Sequence, residues 1–320
     1  MKYRQLTQTQ RYQISALRVA GKSQRQIAAM LGCHNSTISR ELRRNSVHGY
    51  EPEMAQRQAN TRRRTAFKHH KRVQWLTDWV SERLKEHWSP EQISGFMRRM
   101  NIPVQVSHQW IYDLIHRDRL LGGRLWRCCR HRNNRGRKRR AKEAGLGKIP
   151  NRVGIECRPN EVERRATLGH WEGDTVLQGH KQSGLVTLVE RRSGYLLAGR
   201  LKRFTANQTT RTVIRLLKPI RGAAKTLTLD NGSEFSEHEH MAKELGLAAY
   251  FCDPYCSGQR GTNENTNGLL RQYYPKGTNF AKLSQTHINR VVEQLNNRPR
   301  KRLGYLTPAE VFWGEYSGAL

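Results

Sequence analysis

Apolar residues recur at helical spacing through roughly the first 115 positions and shift to strand-like runs after residue 168. Thr7 with Gln10 is a capping-box pattern, opening a helix that buries Ile14 and Leu17 and stops at Gly21. Ser23 with Gln26 repeats the pattern ahead of Ile27, Met30 and Leu31, and Gly32-Cys33-His34 predicts a tight turn. A third helix from about Asn35 buries Ile38 and Leu42. Two short amphipathic helices around a glycine turn predict a helix-turn-helix over residues 1–60. The outer face of its last helix presents Ser36, Thr37, Ser39, Arg40, Arg43 and Arg44. Small hydroxyls there suit base edges, and the arginines suit phosphates or guanines.

A second helical unit follows over 61–118. Residues 71–88 place Val73, Leu76, Val80 and Leu84 inward, with tryptophans at 75, 79 and 88 that we read as core. Ser89-Pro90-Glu91-Gln92 combines an N-cap, a proline at N1 and glutamine at N3, before Ile93, Phe96 and Met97. Ser107 caps a last helix with Ile111, Leu114 and Ile115 inward and His108, Gln109 and Tyr112 outward. Residues 119–165 lack periodicity and contain a basic run from Arg130 to Lys142, read as a linker that follows DNA phosphates.

Over 166–320 the pattern predicts strands at His170–Leu177, Leu185–Glu190, Tyr195–Leu201, Ala224–Leu229 and Ala248–Cys252. Helices are predicted from Thr205 through Leu217, around 236–245, at Asn263–Tyr273 and at Gln285–Asn296. Strands first, then alternating helix and strand, describe a mixed α/β sheet. The fold class is therefore multidomain, with all-α N-terminal units ahead of an α/β domain.

Charge adds the partner. The 320 residues carry 58 Lys and Arg against 26 Asp and Glu, a net of +32. Residues 1–150 hold 33 of the basic and 10 of the acidic ones. Such an excess implies a polyanion, and the front half is the expected grip. The six cysteines show no zinc-ligand spacing and are read as reduced thiols. No apolar stretch approaches a membrane span and no signal-peptide core opens the chain, so a soluble, cytoplasmic protein is expected.

Against this basic background three acids stand out. Asp174 lies in His-Trp-Glu-Gly-Asp-Thr-Val, Asp230 opens Asp-Asn-Gly-Ser-Glu-Phe, and Glu264 sits in Arg-Gly-Thr-Asn-Glu-Asn. Two are at strand ends, where sites gather in α/β sheets, and the third is in the first turn of a helix. Converging carboxylates make a site for a hard cation such as Mg²⁺. Glu172 shares a strand face with Asp174 and is read as a supporting group. Glu234 and Asp253 are weaker ligand candidates, and His170 is read as structural. Arg271 and Lys276 offer either phosphate contacts or a solvated helix face.

These motifs resemble the DDE transposases and retroviral-type integrases. Within them the chain looks like the IS-thirty family of bacterial insertion-sequence transposases. The likeness rests on Gly169-His170-Trp171-Glu172-Gly173-Asp174, Asp230 through Phe235, and Gly261-Thr262-Asn263-Glu264-Asn265. The tail Asn296-Asn297-Arg298-Pro299-Arg300-Lys301-Arg302-Leu303-Gly304-Tyr305 also fits. The resemblance implies a ribonuclease-H-like core and two Mg²⁺ (or Mn²⁺) ions on Asp174, Asp230 and Glu264. It further implies cleavage and joining at terminal inverted repeats, and a homodimer or larger assembly. A DNA-binding regulator derived from such a protein and a phage-type integrase are the alternatives.

Overall fold

A computed structural model describes residues 5–46, 49–65, 74–130, 149–177, 183–254 and 256–318. Its contacts divide the chain into residues 1–70 and 71–320. In the first unit α1 (Gln8–Val19) and α2 (Gln24–Met30) both open on the predicted capping boxes, and α3 (Asn35–Asn45) follows the Gly32 turn. Ile14, Ile27 and Ile38 are fully buried at their junction, while Met30 is 62% exposed and lies outside the core that periodicity gave it. Gly32 adopts a φ of +61°, a left-handed conformation that favours glycine. A fourth helix, α4 (Pro52–Thr65), packs on α1 through Ala55 and crosses the boundary expected at residue 60. Arg11 and Glu41 form a buried ion pair at 2.7 Å that ties α1 to α3.

The second unit begins with α5 (Gln74–Lys85), α6 (Pro90–Arg99) and α7 (His108–Leu120). Val73 and nearly all of the basic run lie outside the described residues. Leu76, Val80, Leu84, Ile93, Met97 and Ile111 close this helical core. Trp88 belongs to it, and Trp79 stacks on Phe96, whereas Trp75 is largely exposed. These helices share one contact unit with the sheet domain. Gln92 Nε2 donates to Pro299 O at 2.8 Å, Arg99 pairs with Glu310 at 2.6 Å, and the Tyr273 hydroxyl donates to Glu86 O. A side chain at Gly95 of α6 would overlap the Tyr305 ring, so glycine there permits the docking.

The sheet comprises β1 (His170–Leu177), β2 (Gly184–Glu190), β3 (Leu196–Leu201), β4 (Thr226–Leu229) and β5 (Ala248–Phe251), in spatial order β3-β2-β1-β4-β5. β1 pairs antiparallel with β2 and parallel with β4, so the sheet is mixed as predicted. Alternation sends Trp171, Val186, Leu188 and Leu227 into one core with α9 (Ala206–Leu217) and α10 (His238–Leu245). Val176, Leu185 and Val189 face the other core, built with α11 (Gly261–Tyr273) and α12 (Gln285–Asn296). A short α8 (Asn160–Arg164) precedes β1, and α13 (Pro308–Tyr316) follows α12. No helix among the described residues is long and apolar enough to cross a membrane.

Candidate active site

The parallel register of β1 and β4 sets His170 opposite Thr226 and Glu172 opposite Thr228. Carrying that offset two residues further brings Asp174 level with Asp230, just past the end of β4. Gly173, between the two β1 acids, leaves room for Leu229, since a Cβ there would fall 2.6 Å from Leu229 Cδ2. One cation joins the two aspartates. Arg260, immediately before α11, places Nη1 3.1 Å from Asp174 Oδ1 and Nη2 3.3 Å from Asp230 Oδ2. Asp174 Oδ1 also accepts the Thr175 amide at 2.8 Å, and its Oδ2 accepts Asn267 Nδ2 at 2.9 Å. Asp230 Oδ1 accepts the Gly232 amide at 3.1 Å.

Burial pushes the Asp230 carboxyl up to about 6, with Asp174 and Glu234 adding and Arg260 opposing. Burial alone would lower the Arg260 guanidinium, but Asp174 and Asp230 hold it above its ordinary value. The site therefore concentrates negative charge around a single cation, and its Arg260 Nε is buried without a partner.

Two residues back along β1, Glu172 is fully buried and spent on structure. Its Oε1 accepts Arg191 Nη1 at 2.6 Å and its Oε2 accepts the Asn263 amide at 2.8 Å. Asn263 Nδ2 returns a bond to Glu172 O at 2.8 Å, and the Thr187 hydroxyl donates to Asn263 Oδ1 or Asn267 Oδ1, each at 3.1 Å. The start of α11 is thereby stitched to β1 and β2 by polar groups spaced at 260, 263 and 267, one helix face. Glu264 follows Asn263 in that first turn and is exposed.

The structure thus brings Asp174 and Asp230 together and leaves Glu264 outside that pair. Among the described residues no three His, Cys, Asp or Glu side chains stand close enough to hold a metal ion. The donor set nonetheless suits a hard cation: two carboxylates with a guanidinium bridging them, where charge-assisted bonds replace coordination. Glu234, buried, accepts the Thr175 hydroxyl at 2.8 Å, and Asp253 is occupied by Gln259. His170 is enclosed between Thr226 and Thr167, and burial lowers its pKa, so its role is structural.

Ser39, Arg40, Arg43 and Arg44 are exposed on α3, while Ser36 and Thr37 are half-buried and Ser36 Oγ bonds His34 Nδ1. His108, Gln109 and Tyr112 are exposed on α7, with Gln109 bonded to Asp113. Lys276 is exposed, but Arg271 is half-buried and donates to Leu177 O at 3.2 Å, so it is not a simple solvated face. Sequence reasoning missed Arg260, Asn263, Asn267 and Arg191. The spacing of the first three, a polar stripe beside Glu264, was the available signal.

Comparison with known proteins places these features. Residues 2–45 match a helix-turn-helix domain and residues 164–257 an integrase core domain. The transposase for insertion sequence element IS4351 of Bacteroides fragilis is 40% identical over 314 residues, covering 96% of this chain and 95% of that one. Transposase InsI for insertion sequence element IS30A of Escherichia coli K12 is 39% identical over 323 residues, 96% of this chain and 82% of that one. Among solved structures, a chain of a simian T-cell lymphotropic virus intasome complex matches at TM-score 0.38 and 18% identity, over 53% of this chain and 59% of that one. The mixed sheet of the integrase core is ribonuclease-H-like, and such cores generally work with divalent metal ions. The chain belongs to the IS30 family of insertion-sequence transposases and is a DNA transposase, a DDE-type polynucleotidyl transferase.

Proposed function

We propose that the protein binds the terminal inverted repeats of its element and cuts and rejoins DNA at Asp174, Asp230 and Glu264. The observation that carries this reading is the meeting of Asp174 and Asp230 at neighbouring parallel strand positions around one cation, with Glu264 one helical turn beyond Arg260. In this reading Glu264 completes the donor set of Asp174 and Asp230, and the three would hold two Mg²⁺ or Mn²⁺ ions. Bound divalent ions there would supply charge stabilisation of a phosphodiester and activation of a nucleophile. The reaction is hydrolysis, in which a water oxygen displaces the DNA bridging oxygen, followed by transesterification by a DNA 3′-OH. Atoms and charge balance without a covalent enzyme intermediate.

The chain's own residues supply placement. Glu172, Arg191 and Asn263 fix the start of α11 against β1, which sets where Glu264 stands relative to the aspartates. Arg260 bridges the aspartate pair and offsets part of its charge, and Asn267 holds Asp174 Oδ2. Residues 1–60 read the DNA end through Ser36, Thr37, Ser39, Arg40, Arg43 and Arg44. Residues 61–118 supply a second contact through His108, Gln109 and Tyr112, with 119–165 linking to the catalytic residues 166–320. Lys276, exposed past the end of α11, is assigned a phosphate contact. Two ends must be joined in one reaction, so the active form is a dimer or larger.

The test is cleavage and joining of labelled element-end duplex with Mg²⁺ or Mn²⁺. Wild type is expected to nick and join the ends, and Asp230→Asn to do neither while still binding them. Equal product from both proteins would refute the assignment.

A further inference from the structure

We propose that the cleft lined by Arg298, Arg300 and Arg302 grips one DNA backbone phosphate of the bound element end. This rests on the strand-transfer reading above, which Asp230→Asn tests separately. The cleft holds about 540 Å³. The stretch His87–Gln92 forms one wall and Arg298–Arg302 another, with Arg130 and Asn265 completing it. Asn265 follows Glu264 on α11, but it lies about 200° round the helix from Asn263 and so faces away from the aspartates. Tyr112, singled out from the sequence as a DNA-facing residue of α7, lines the same space.

Arg130, Arg298, Arg300 and Arg302 line it, with the Arg302 guanidinium reaching on to the Arg192 carbonyl beside Gly194. Their hydrogen bonds go to neutral oxygens. Arg298, only 2% exposed, donates to Gln92 Oε1 at 2.9 Å and Gln272 Oε1 at 3.1 Å. Arg300 donates to Leu295 O, Arg302 to Arg192 O, and Arg130 to Asn265 Oδ1. The single acid in the wall, Glu91, is taken by Lys301 at 2.7 Å. Elsewhere the buried arginines are paired with carboxylates: Arg11 with Glu41, Arg191 with Glu172, Arg260 with both aspartates.

Of the four, Arg298 is buried and Arg300 half-buried; unpaired charge there is costly, and like charges beside it add to the cost. Burial first, then repulsion from Arg298 and Arg302, pushes Arg300 down to about 9, and burial with Arg130 pushes Arg298 to about 10. An anion relieves both effects. Forked guanidinium donors match carboxylate and phosphate oxygens alike, and the DNA of the reading above supplies the phosphodiester. The competing reading makes these arginines only mortar between α6 and the Pro299 loop, through the Gln92 bonds.

The experiment uses the full chain and uncleaved element-end duplex without divalent metal, so that binding is read apart from chemistry. Single neutral methylphosphonates are placed in turn along the backbone. Arg300→Gln and Arg302→Gln are expected to weaken binding of the native duplex by about tenfold and to flatten the salt dependence by about one unit in slope. One methylphosphonate position should weaken wild type similarly yet add nothing in either variant. Arg302 is exposed, so its variant serves if Arg300→Gln fails to fold. Thermal unfolding close to wild type, with that coupling present, supports the cleft. Variants that bind like wild type, or methylphosphonate losses that simply add to the variant losses, overturn it. Stabilisation by inorganic phosphate with no coupled backbone position also overturns it, since the site would then take free anions and not DNA.

Discussion

The two ends of the seam between β1 and α11 hold similar residues in opposite conditions. At the inner end Glu172 has both carboxylate oxygens bonded and no exposure. At the outer end Asp174 and Asp230 keep side-chain exposures of 21% and 31% and share a single guanidinium. Glu172 and Asp174 are two residues apart on one strand face, so neither residue type nor periodicity separates them. What separates them is access: the inner end is sealed with Arg191 and the Asn263 amide aimed at it, while the outer end, bonded by Arg260, Thr175, Asn267 and Gly232, stays open to solvent. A carboxylate sealed among protein donors anchors; one that keeps a face to solvent can exchange its donors for a cation.

The comparison breaks most visibly at its open end. Asp174→Asn or Asp230→Asn is expected to lower strand cleavage by roughly 10³-fold, about 4 kcal/mol of transition-state stabilisation, with end binding retained. A gel assay on pre-bound ends reads this, and activity within tenfold of wild type would place the chemistry elsewhere.

At the closed end the loss appears as stability. Glu172→Ala removes the buried carboxylate from Arg191, leaving it Glu163 and Val162 O, and frees the Asn263 amide, and should cost about 3 kcal/mol in chemical denaturation. A stable Glu172→Ala protein that has lost metal binding alone would make Glu172 a ligand. Asn263→Ala removes the bonds to Glu172 O and Thr187 O and should cost about 1–3 kcal/mol, with cleavage falling more than end binding because Glu264 loses its placement.

Between the two ends, Arg260→Gln leaves Asp174 and Asp230 facing each other without a cation. Metal-free stability is expected to fall by roughly 1–2 kcal/mol at neutral pH, and Mg²⁺ or Mn²⁺ should raise the variant's Tm more than that of wild type. Equal metal-induced shifts would show that Arg260 does not compete with the ions. The smallest expected effect lies away from the seam. Arg40→Ala or Arg43→Ala should weaken end binding severalfold and reduce the salt slope by about one, leaving chemistry on bound ends intact.

Local chemistry made much of the fold readable. The capping pairs Thr7–Gln10, Ser23–Gln26 and Ser89–Gln92 all form, because each needs only residues three apart. The strand bearing Asp174 spans His170–Leu177 as its pattern predicts, and α12 spans Gln285–Asn296. Misreadings came where long-range packing decides. Met30 keeps helical spacing but stays largely in solvent, and α4 has too weak an apolar face to announce itself. Arg271 reads as a surface cation, yet it is drawn to the Leu177 carbonyl at the end of β1.

By itself the sequence determined the basic character, the capped helices, the strand runs and the short acidic motifs, since these depend on composition and near neighbours. Tertiary structure alone decided which acids do what. Asp174 and Asp230 lie 56 positions apart and meet only through the β1–β4 register, while Glu172 is sealed only because α11 returns across the strand. Distances of that kind are set by sheet pairing and helix docking, whose partners no local pattern names.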